Sequence, residues 1–243
     1  MARPFLSTNP PELVVHDAEE ACPYLPGQRA RRPLRQPLRR LTGEQFDQRL
    51  EAGDRRMGTL LYTQACPACT ACEPIRVDVN AFTPSRAQRR AQVKGDASIR
   101  AQIGPLEVDD QRVALYLKHE RERGLARQDV PIDADDYRRF LVESCVEGFE
   151  IRYLVEERLA AVAIVDRGQR ALSAVYTYWD PAYAGLSLGT YSILSQLRLA
   201  RASGLEWVYL GLAIAQNPSM AYKLRFFPHE RRIGGTWRRF SRD

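Results

Sequence analysis

No run of ~18 consecutive apolar residues occurs in the 243-residue chain, which excludes a membrane-spanning helix. Met1 to Pro11 show no apolar core after a basic start, so no secretory signal is expected. Cysteine is scarce: there are five, and an odd count without a leader argues against a secreted disulfide scaffold. These absences point to the cytoplasm. Lysine is scarcer still, with Lys94, Lys118 and Lys223 the only three among 36 basic residues. Internal repeats and low-complexity segments are absent. The chain is no disordered tail either, because 44% hydrophobic against 27% charged residues leaves enough apolar surface for a core. The length suits one large domain or two small ones.

What is there is arginine, unevenly placed. The net charge of +6 divides into −3 over residues 1–22, +8 over 23–104, −5 over 105–160 and +6 over 161–243. Two basic blocks flanking an acidic one suggest a polyanion touched from both ends of the chain. A guanidinium fork can make two hydrogen bonds to one phosphate, so arginine suits such a partner. The alternative is an arginine-rich composition with no partner behind it.

Seven prolines between Pro4 and Pro37 predict extended or looped structure over residues 1–40. Thr42-Gly-Glu-Gln45 reads as a capping box opening a helix that ends near Gly53. Thr59–Tyr62 and Ile75–Val79 predict strands entering and leaving a cysteine loop, and a basic helix starts near Arg86. Helices are expected over Val108–Gly124, Asp133–Val146, Ser187–Ala202 and Ser219–Arg225. Phe149–Val155, Leu159–Asp166 and Ala171–Tyr178 read as an antiparallel meander, and Glu206–Ile214 as a further strand. The fold class is α+β. A basic, cysteine-bearing N-terminal domain is drawn over 1–104 and a larger domain over 105–243, in which a helix leaves the end of the third meander strand and returns to a parallel or mixed neighbour.

Cys66-Pro-Ala-Cys-Thr-Ala-Cys72 has the C-x2-C-x2-C spacing that lets thiolates face one metal ion. Cys22 would supply a fourth ligand from a distance, completing a Cys22, Cys66, Cys69, Cys72 set for zinc or an iron–sulfur cluster. The other reading is a reduced thiol group without metal. Cys145 lies in an apolar helical pattern and reads as a core thiol. His16, His119 and His229 fit no catalytic spacing and read as structural.

Four stretches of the second half carry a resemblance. They are Ser173-Ala-Val-Tyr-Thr-Tyr-Trp-Asp-Pro181, Ser187-Leu-Gly-Thr-Tyr-Ser192, Tyr209-Leu-Gly211 and Met220-Ala-Tyr-Lys-Leu-Arg-Phe226. With Cys22-Pro-Tyr-Leu-Pro26, Tyr62, the cysteine loop, Glu73-Pro-Ile-Arg-Val77 and Phe82-Thr-Pro-Ser-Arg86-Ala-Gln-Arg89, the chain resembles the aminoacyl-tRNA–protein transferases over residues 20–235. The short length and the cysteine spacing look like the bacterial branch, the aspartate/glutamate leucyltransferases. The resemblance implies an acetyltransferase-like (GNAT) C-terminal half and transfer of leucine from tRNA to proteins beginning with Asp or Glu. It also implies a role in N-degron degradation in the cytoplasm. Arginyl transfer by the same mechanism is the alternative within the family. The chain departs from the family at Ala215-Gln-Asn-Pro218, and Trp179 stands where Phe or Tyr usually precedes the Asp-Pro pair.

The reaction is attack of a neutral α-amine on an activated ester. It needs no ATP and no covalent enzyme intermediate, only juxtaposition worth ~7–11 kcal/mol, a proton acceptor and an oxyanion donor. On the resemblance, Asp180 with Tyr178 is the catalytic candidate, Asp180 orienting the amine; capping of the Asp-Pro turn is the competing role. Ser187 and Gly189 open a helix whose N–H groups would hold a phosphate or the oxyanion. Tyr176, Tyr178 and Tyr191 would wall a pocket for the terminal adenosine, or else belong to the core; alternation puts Tyr176 and Tyr178 on one face. Tyr222, Lys223 and Arg225 combine a phenol with two cations for an acidic acceptor side chain, with Arg76 as a further cation. Arg31, Arg32, Arg86, Arg89 and Arg90, with the basic end Arg231 to Arg239, would grip the tRNA stem, or lie on solvated faces. No cofactor is required for the chemistry.

Two rivals stay open. An acyl-CoA N-acetyltransferase would need an R/Q-x-x-G-x-G/A loop, and Leu186-Ser-Leu-Gly-Thr190 departs from it. A non-enzymatic, metal-containing RNA-binding module would explain the arginines and cysteines but not Tyr176 to Asp180.

Overall fold

A computed structural model describes residues 5–125 and 132–242; residues 1–4, the start of the segment read for a signal, lie outside them. In chain order the strands are β1 (Phe5–Leu6), β2 (Glu12–His16), β3 (Glu19–Ala21), β4 (Arg29–Arg31) and β5 (Leu34–Pro37). Helix α1 (Gly43–Glu51), β6 (Arg55–Met57), β7 (Leu60–Tyr62), β8 (Glu73–Asp78), α2 (Arg86–Ser98) and β9 (Arg100–Gly104) follow. Then come α3 (Asp110–Glu122), α4 (Ala134–Tyr137), β10 (Gly148–Val155), β11 (Arg158–Arg167), β12 (Ala171–Trp179) and α5 (Leu188–Ala202). The chain closes with β13 (Trp207–Ala213), α6 (Pro218–Ala221), β14 (His229–Ile233) and β15 (Thr236–Phe240).

These strands form an eight-stranded sheet in the order β15-β14-β8-β13-β12-β11-β10-β9, a five-stranded sheet β1-β2-β5-β7-β6 and the hairpin β3-β4. The expected meander is present: β10, β11 and β12 pair antiparallel, and β13 runs parallel to β12. Strand alternation divides the large sheet's two faces. On one side Ala161, Ala163 and Val165 join Leu188, Leu194 and Leu197 of α5 in a core with Ile75, Val77 and Ile99. On the other, Val162 and Ile164 join Tyr116 of α3 and Tyr137 of α4. Helices therefore cover both faces, as a buried sheet of this size requires.

Residues before 104 contribute to this body. Strands β8 and β9 belong to the large sheet, and α2 packs on α5. The crossing is close at Gly95, where a Cβ would come within 2.2 Å of the Tyr191 ring. The proline-rich stretch, expected to be extended or looped, holds five short strands. Strand β9, unforeseen, is an edge strand with mostly exposed side chains, so it leaves no apolar alternation to read.

Local signals at helix starts are borne out. Thr42 accepts from the Gln45 N–H while the Gln45 side chain accepts from Thr42, a complete capping box. The helix expected over 133–146 is shorter: α4 widens into a π-turn over Arg138–Val142 and stops, because Glu143 turns extended toward β10. Cys145 lies beyond it, buried all the same. Among the described residues no helix is long and apolar enough to cross a membrane.

Candidate active site at the parting of two strands

Strand β12 pairs with β13 only from Ala171 to Ser173, opposite Trp207 to Tyr209. Beyond Ser173 the two separate, while β12 stays paired to β11 as far as Trp179 and β13 to β8 as far as Ala213. Each strand bulges where the separation begins, β12 between Ala174 and Tyr176 and β13 between Tyr209 and Gly211. The result is a wedge in the middle of the sheet, lined by backbone that has left its ladder. Ala174 to Thr177 are half-buried there, in contrast to the fully covered residues that precede them.

The turn after β13 closes the wedge. Asn217 caps α6, and a 3₁₀ turn over Tyr222–Arg225 follows. Lys223 donates from Nζ to the Leu212 carbonyl at 3.0 Å, on the stretch of β13 that β12 has left. Deep placement, with the Arg55 charge nearby, lowers the Lys223 pKa to about 7. The side chain still keeps some solvent access, as a residue on the floor of a cleft does. A lysine with its pKa near 7 and bonded to a carbonyl can exchange protons, besides attracting the carboxylate it was expected to hold. Burial likewise raises the Tyr222 phenol.

On the other lip, Trp179 connects the elements. Its ring lies 3.5 Å from where a Cβ on Gly189 would stand, an ordinary contact. The Arg123 guanidinium stacks over that ring at 4.4 Å, and its charge is felt by Tyr222. His119 holds the backbone of Trp179 through Nδ1; burial lowers its pKa to about 4, which keeps it neutral and structural. Ser187 begins α5 in the left-handed region (φ 53°), and its side chain makes no cap. The first turn of α5, beside Trp179, is thus left without a side-chain cap.

The remaining candidates separate into those brought to the wedge and those that are not. Asp180 accepts from the Ala182 N–H (2.9 Å) and pairs with Lys118 (2.7 Å), so it caps the 3₁₀ turn Pro181–Leu186 that aims α5. Burial raises its carboxyl, but those two donors outweigh burial and leave it below its ordinary value. Tyr176 and Tyr178 share a face, as alternation required, and it is the α3 face. Tyr178 is fully buried and shares a 2.6 Å hydrogen bond with Tyr137, so it is a core residue, which corrects its catalytic assignment. Tyr176 is half-buried, and its hydroxyl donates to Glu120. Tyr191 is buried between α2 and α5 with its hydroxyl on Asp96, which places it in the core rather than on a surface.

Arg76 is also corrected. It lies buried between the Trp207 and Trp237 rings (3.9 and 4.2 Å) and binds Glu230, Glu51 and the Tyr209 hydroxyl, leaving nothing for a substrate. Arg225 is exposed, without an ion pair among the described residues. Arg31 forms a bidentate pair with Asp17 (2.7 and 2.6 Å), and Arg32 pairs with Glu20. The acidic N-terminal block thus neutralises its basic neighbour across the β3–β4 hairpin. Arg86, Arg89 and Arg90 are exposed on α2 and carry no ion pair among the described residues; with Lys94 they form one stripe at helical spacing.

The cysteine loop lies beside the α6 turn. Asn217 donates to the Tyr24 carbonyl (3.0 Å), tying the segment that follows Cys22 to the end of β13. Burial and the nearness of Cys66, Cys22 and Cys69 push the Cys72 thiol up to about 12. Cysteine sulfurs are soft donors of the kind that suits zinc or an iron–sulfur cluster. Among the described residues no three His, Cys, Asp or Glu stand in metal-holding geometry.

Two residues escaped sequence reasoning. Arg123 had no motif around it. Arg55 reaches the wedge from the five-stranded sheet: a Cβ on Gly211 (φ 85°) would lie 1.9 Å from its Nη1. Only the coincidence of a positive-φ glycine and a distant arginine marks that contact, and one dimension does not show it.

The chain is similar to known proteins over most of its length. The family model described as "Arginine-tRNA-protein transferase, C terminus" matches residues 111–233, and its N-terminal counterpart matches 20–90. An aspartate/glutamate leucyltransferase of Thiobacillus denitrificans is 35% identical over 223 residues, covering 90% of this chain and 91% of that one. One from Chromobacterium violaceum is 37% identical over 216 residues, 89% of each chain. One from Gluconacetobacter diazotrophicus is 34% identical over 241 residues, 98% of this chain and 92% of that one. Among solved structures, FemX covers 80% of this chain and 67% of its own at 8% identity and a TM-score of 0.48, too loose a likeness to assign a fold.

Proposed function

The chain belongs to the arginine-tRNA-protein transferase family, and from that premise we propose that it transfers leucine from leucyl-tRNA to the free N-terminus of proteins beginning with Asp or Glu. Leucine rather than arginine is taken as the donor because relatives that match most of the chain carry the name aspartate/glutamate leucyltransferase. The product is a destabilising N-terminus, which makes the enzyme a step toward N-degron degradation. A charged tRNA donor locates it in the cytoplasm. We read residues 105–243 as acetyltransferase-like, on the strength of the meander and of a parallel pair that parts after three residues.

The observation that carries the reading is the wedge with Lys223 at its floor. The acceptor ammonium, pKa about 7.7–8.0, gives its proton to neutral Lys223, which burial holds in the right range. The amine nitrogen attacks the ester carbonyl carbon and the C–N bond forms. The C–O bond to the ribose then breaks, and the terminal hydroxyl of the tRNA leaves with a proton. The ester supplies the free energy, so the step needs no cofactor. First-turn N–H groups of α5 face the developing oxyanion, and Asp180 acts by holding the turn that aims them. The α2 stripe of Arg86, Arg89 and Arg90 runs along the acceptor stem. Cys22, Cys66, Cys69 and Cys72 would be the ligands of any structural zinc or iron–sulfur cluster, which would need the loop to close further than it does here; elemental analysis of anaerobically purified protein tests this, and a metal-free, active enzyme ends it.

Incubation with labelled leucyl-tRNA and peptides starting with Asp, Glu or Ala tests the activity. Label in the Asp and Glu peptides alone is expected. Label taken from arginyl-tRNA only would reassign the donor, and RNA binding without transfer would remove the enzyme.

A further inference from the structure

Among the described residues, Arg55, half-buried at the base of the wedge, forms no ion pair. Arg55 and Arg56 are neighbours on β6, the edge strand of the five-stranded sheet. Arg56 is committed: it donates to Asp166 (2.6 Å) and to the Gly58 and Glu143 carbonyls. Arg55 is not. Its Nε and Nη1 are shielded from solvent and have no hydrogen-bond partner. Buried guanidinium N–H groups without acceptors are rare, because each forfeits its hydration for nothing.

The surroundings make this a seat rather than an accident of packing. The guanidinium occupies the space a side chain at 211 would fill, with Nη1, Cζ and Nη2 all within 2.7 Å of that absent Cβ. Gly211 is the first residue of β13 past its bulge, at the base of the wedge. The nearby carboxylates pair with other arginines: Asp166, within electrostatic reach, is bound by Arg56 through one oxygen, while Glu12 and Asp54 are held by Arg35 and Arg49. Lys223, whose pKa the Arg55 charge helps to lower, is the other cation of the wedge.

We propose that Arg55 reads the acidic side chain of the acceptor's first residue, its guanidinium taking the Asp or Glu carboxylate while the α-amine lies at Lys223. This rests on the transferase reading and adds the residue that selects its substrate. The division of labour follows from chemistry. A guanidinium stays charged at every physiological pH and matches a carboxylate with a planar fork, whereas Lys223 must shed its charge to accept a proton. A neutral Asn or Gln side chain would leave the Arg55 charge unpaired, so the same residue rejects the uncharged isosteres.

The test compares wild type with Arg55→Met, using leucyl-tRNA and peptides starting with Asp, Glu, Asn or Gln. Arg55→Met is expected to raise KM for the Asp and Glu peptides roughly tenfold or more. It should leave KM for leucyl-tRNA unchanged and collapse the preference for Asp over Asn. Arg55→Lys should restore part of that preference, which a merely structural role would not predict. If Arg55→Met does not fold, Arg55→Gln, which keeps an N–H donor without charge, carries the same expectation. An intact preference in the uncharged variant overturns the proposal, and so does a rise in KM for leucyl-tRNA alone, which would give Arg55 to the RNA. Failure of the transferase reading looks different: wild type itself would then label no peptide.

Discussion

Lys223 shows how much one residue's setting can change its chemistry. An ordinary lysine is charged until pH 10 and accepts no proton at neutrality; burial and the Arg55 charge bring this one to about 7. The base must be neutral to act, so kcat at saturating peptide should fall as pH drops below about 7 and level off above it. Lys223→Met should lower kcat by about 10²–10⁴ and remove that limb. An unchanged limb in the variant would assign the titration to another group. Asp180, by contrast, serves the turn. Its carboxylate is spent on Lys118 and the Ala182 N–H, and burial is outweighed by those donors.

Two basic elements of similar composition behave oppositely. The β4 arginines face the acids of β3 and of Asp17 across a hairpin, so Arg31 and Arg32 are neutralised before any partner arrives. Helix α2 carries Arg86, Arg89 and Arg90 on an exposed face, without an ion pair among the described residues. Binding of tRNA measured against salt should therefore lose about 0.9 from its log–log slope for each of Arg86→Gln, Arg89→Gln and Arg90→Gln in contact with duplex. Arg31→Gln should leave the slope unaltered. Equal slopes for all four variants would move the RNA off α2. Both elements have the same sequence signature, an arginine cluster, and only the hairpin register separates them.

At the scale of the molecule, the five-stranded sheet is held to the large one by a buried ion pair. Arg56 of β6 and Asp166 of β11 are almost wholly enclosed and lie 2.6 Å apart. Burial raises the Asp166 carboxyl despite its partner. A pair in this position stabilises little by itself, but removing one member strands the other. Arg56→Met or Asp166→Asn should each cost about 3–5 kcal/mol, read from the urea midpoint. The double variant Arg56→Met with Asp166→Leu should cost less than their sum, since no charge is then left alone. Strict additivity would show that the two do not act as a pair. The same interface delivers Arg55 to the wedge, so the architecture of the small sheet bears on the site itself.

Local periodicity alone determined the meander β10–β12, the strand β13, the capping box at Thr42 and the span of α5, because each is written in neighbouring residues. The family motifs likewise marked the β12 end and the Tyr222–Arg225 turn as the places to look. Only the tertiary structure decided which residues of those motifs are free to act. Tyr178 and Tyr191 went to cores and Arg76 to a sandwich of two tryptophans, while Arg55 entered from a strand about 150 residues upstream of Gly211. Burial and charge pairing are sums over neighbours in space. A sequence records residue types in order, and it does not record which of them fill the room around a given atom.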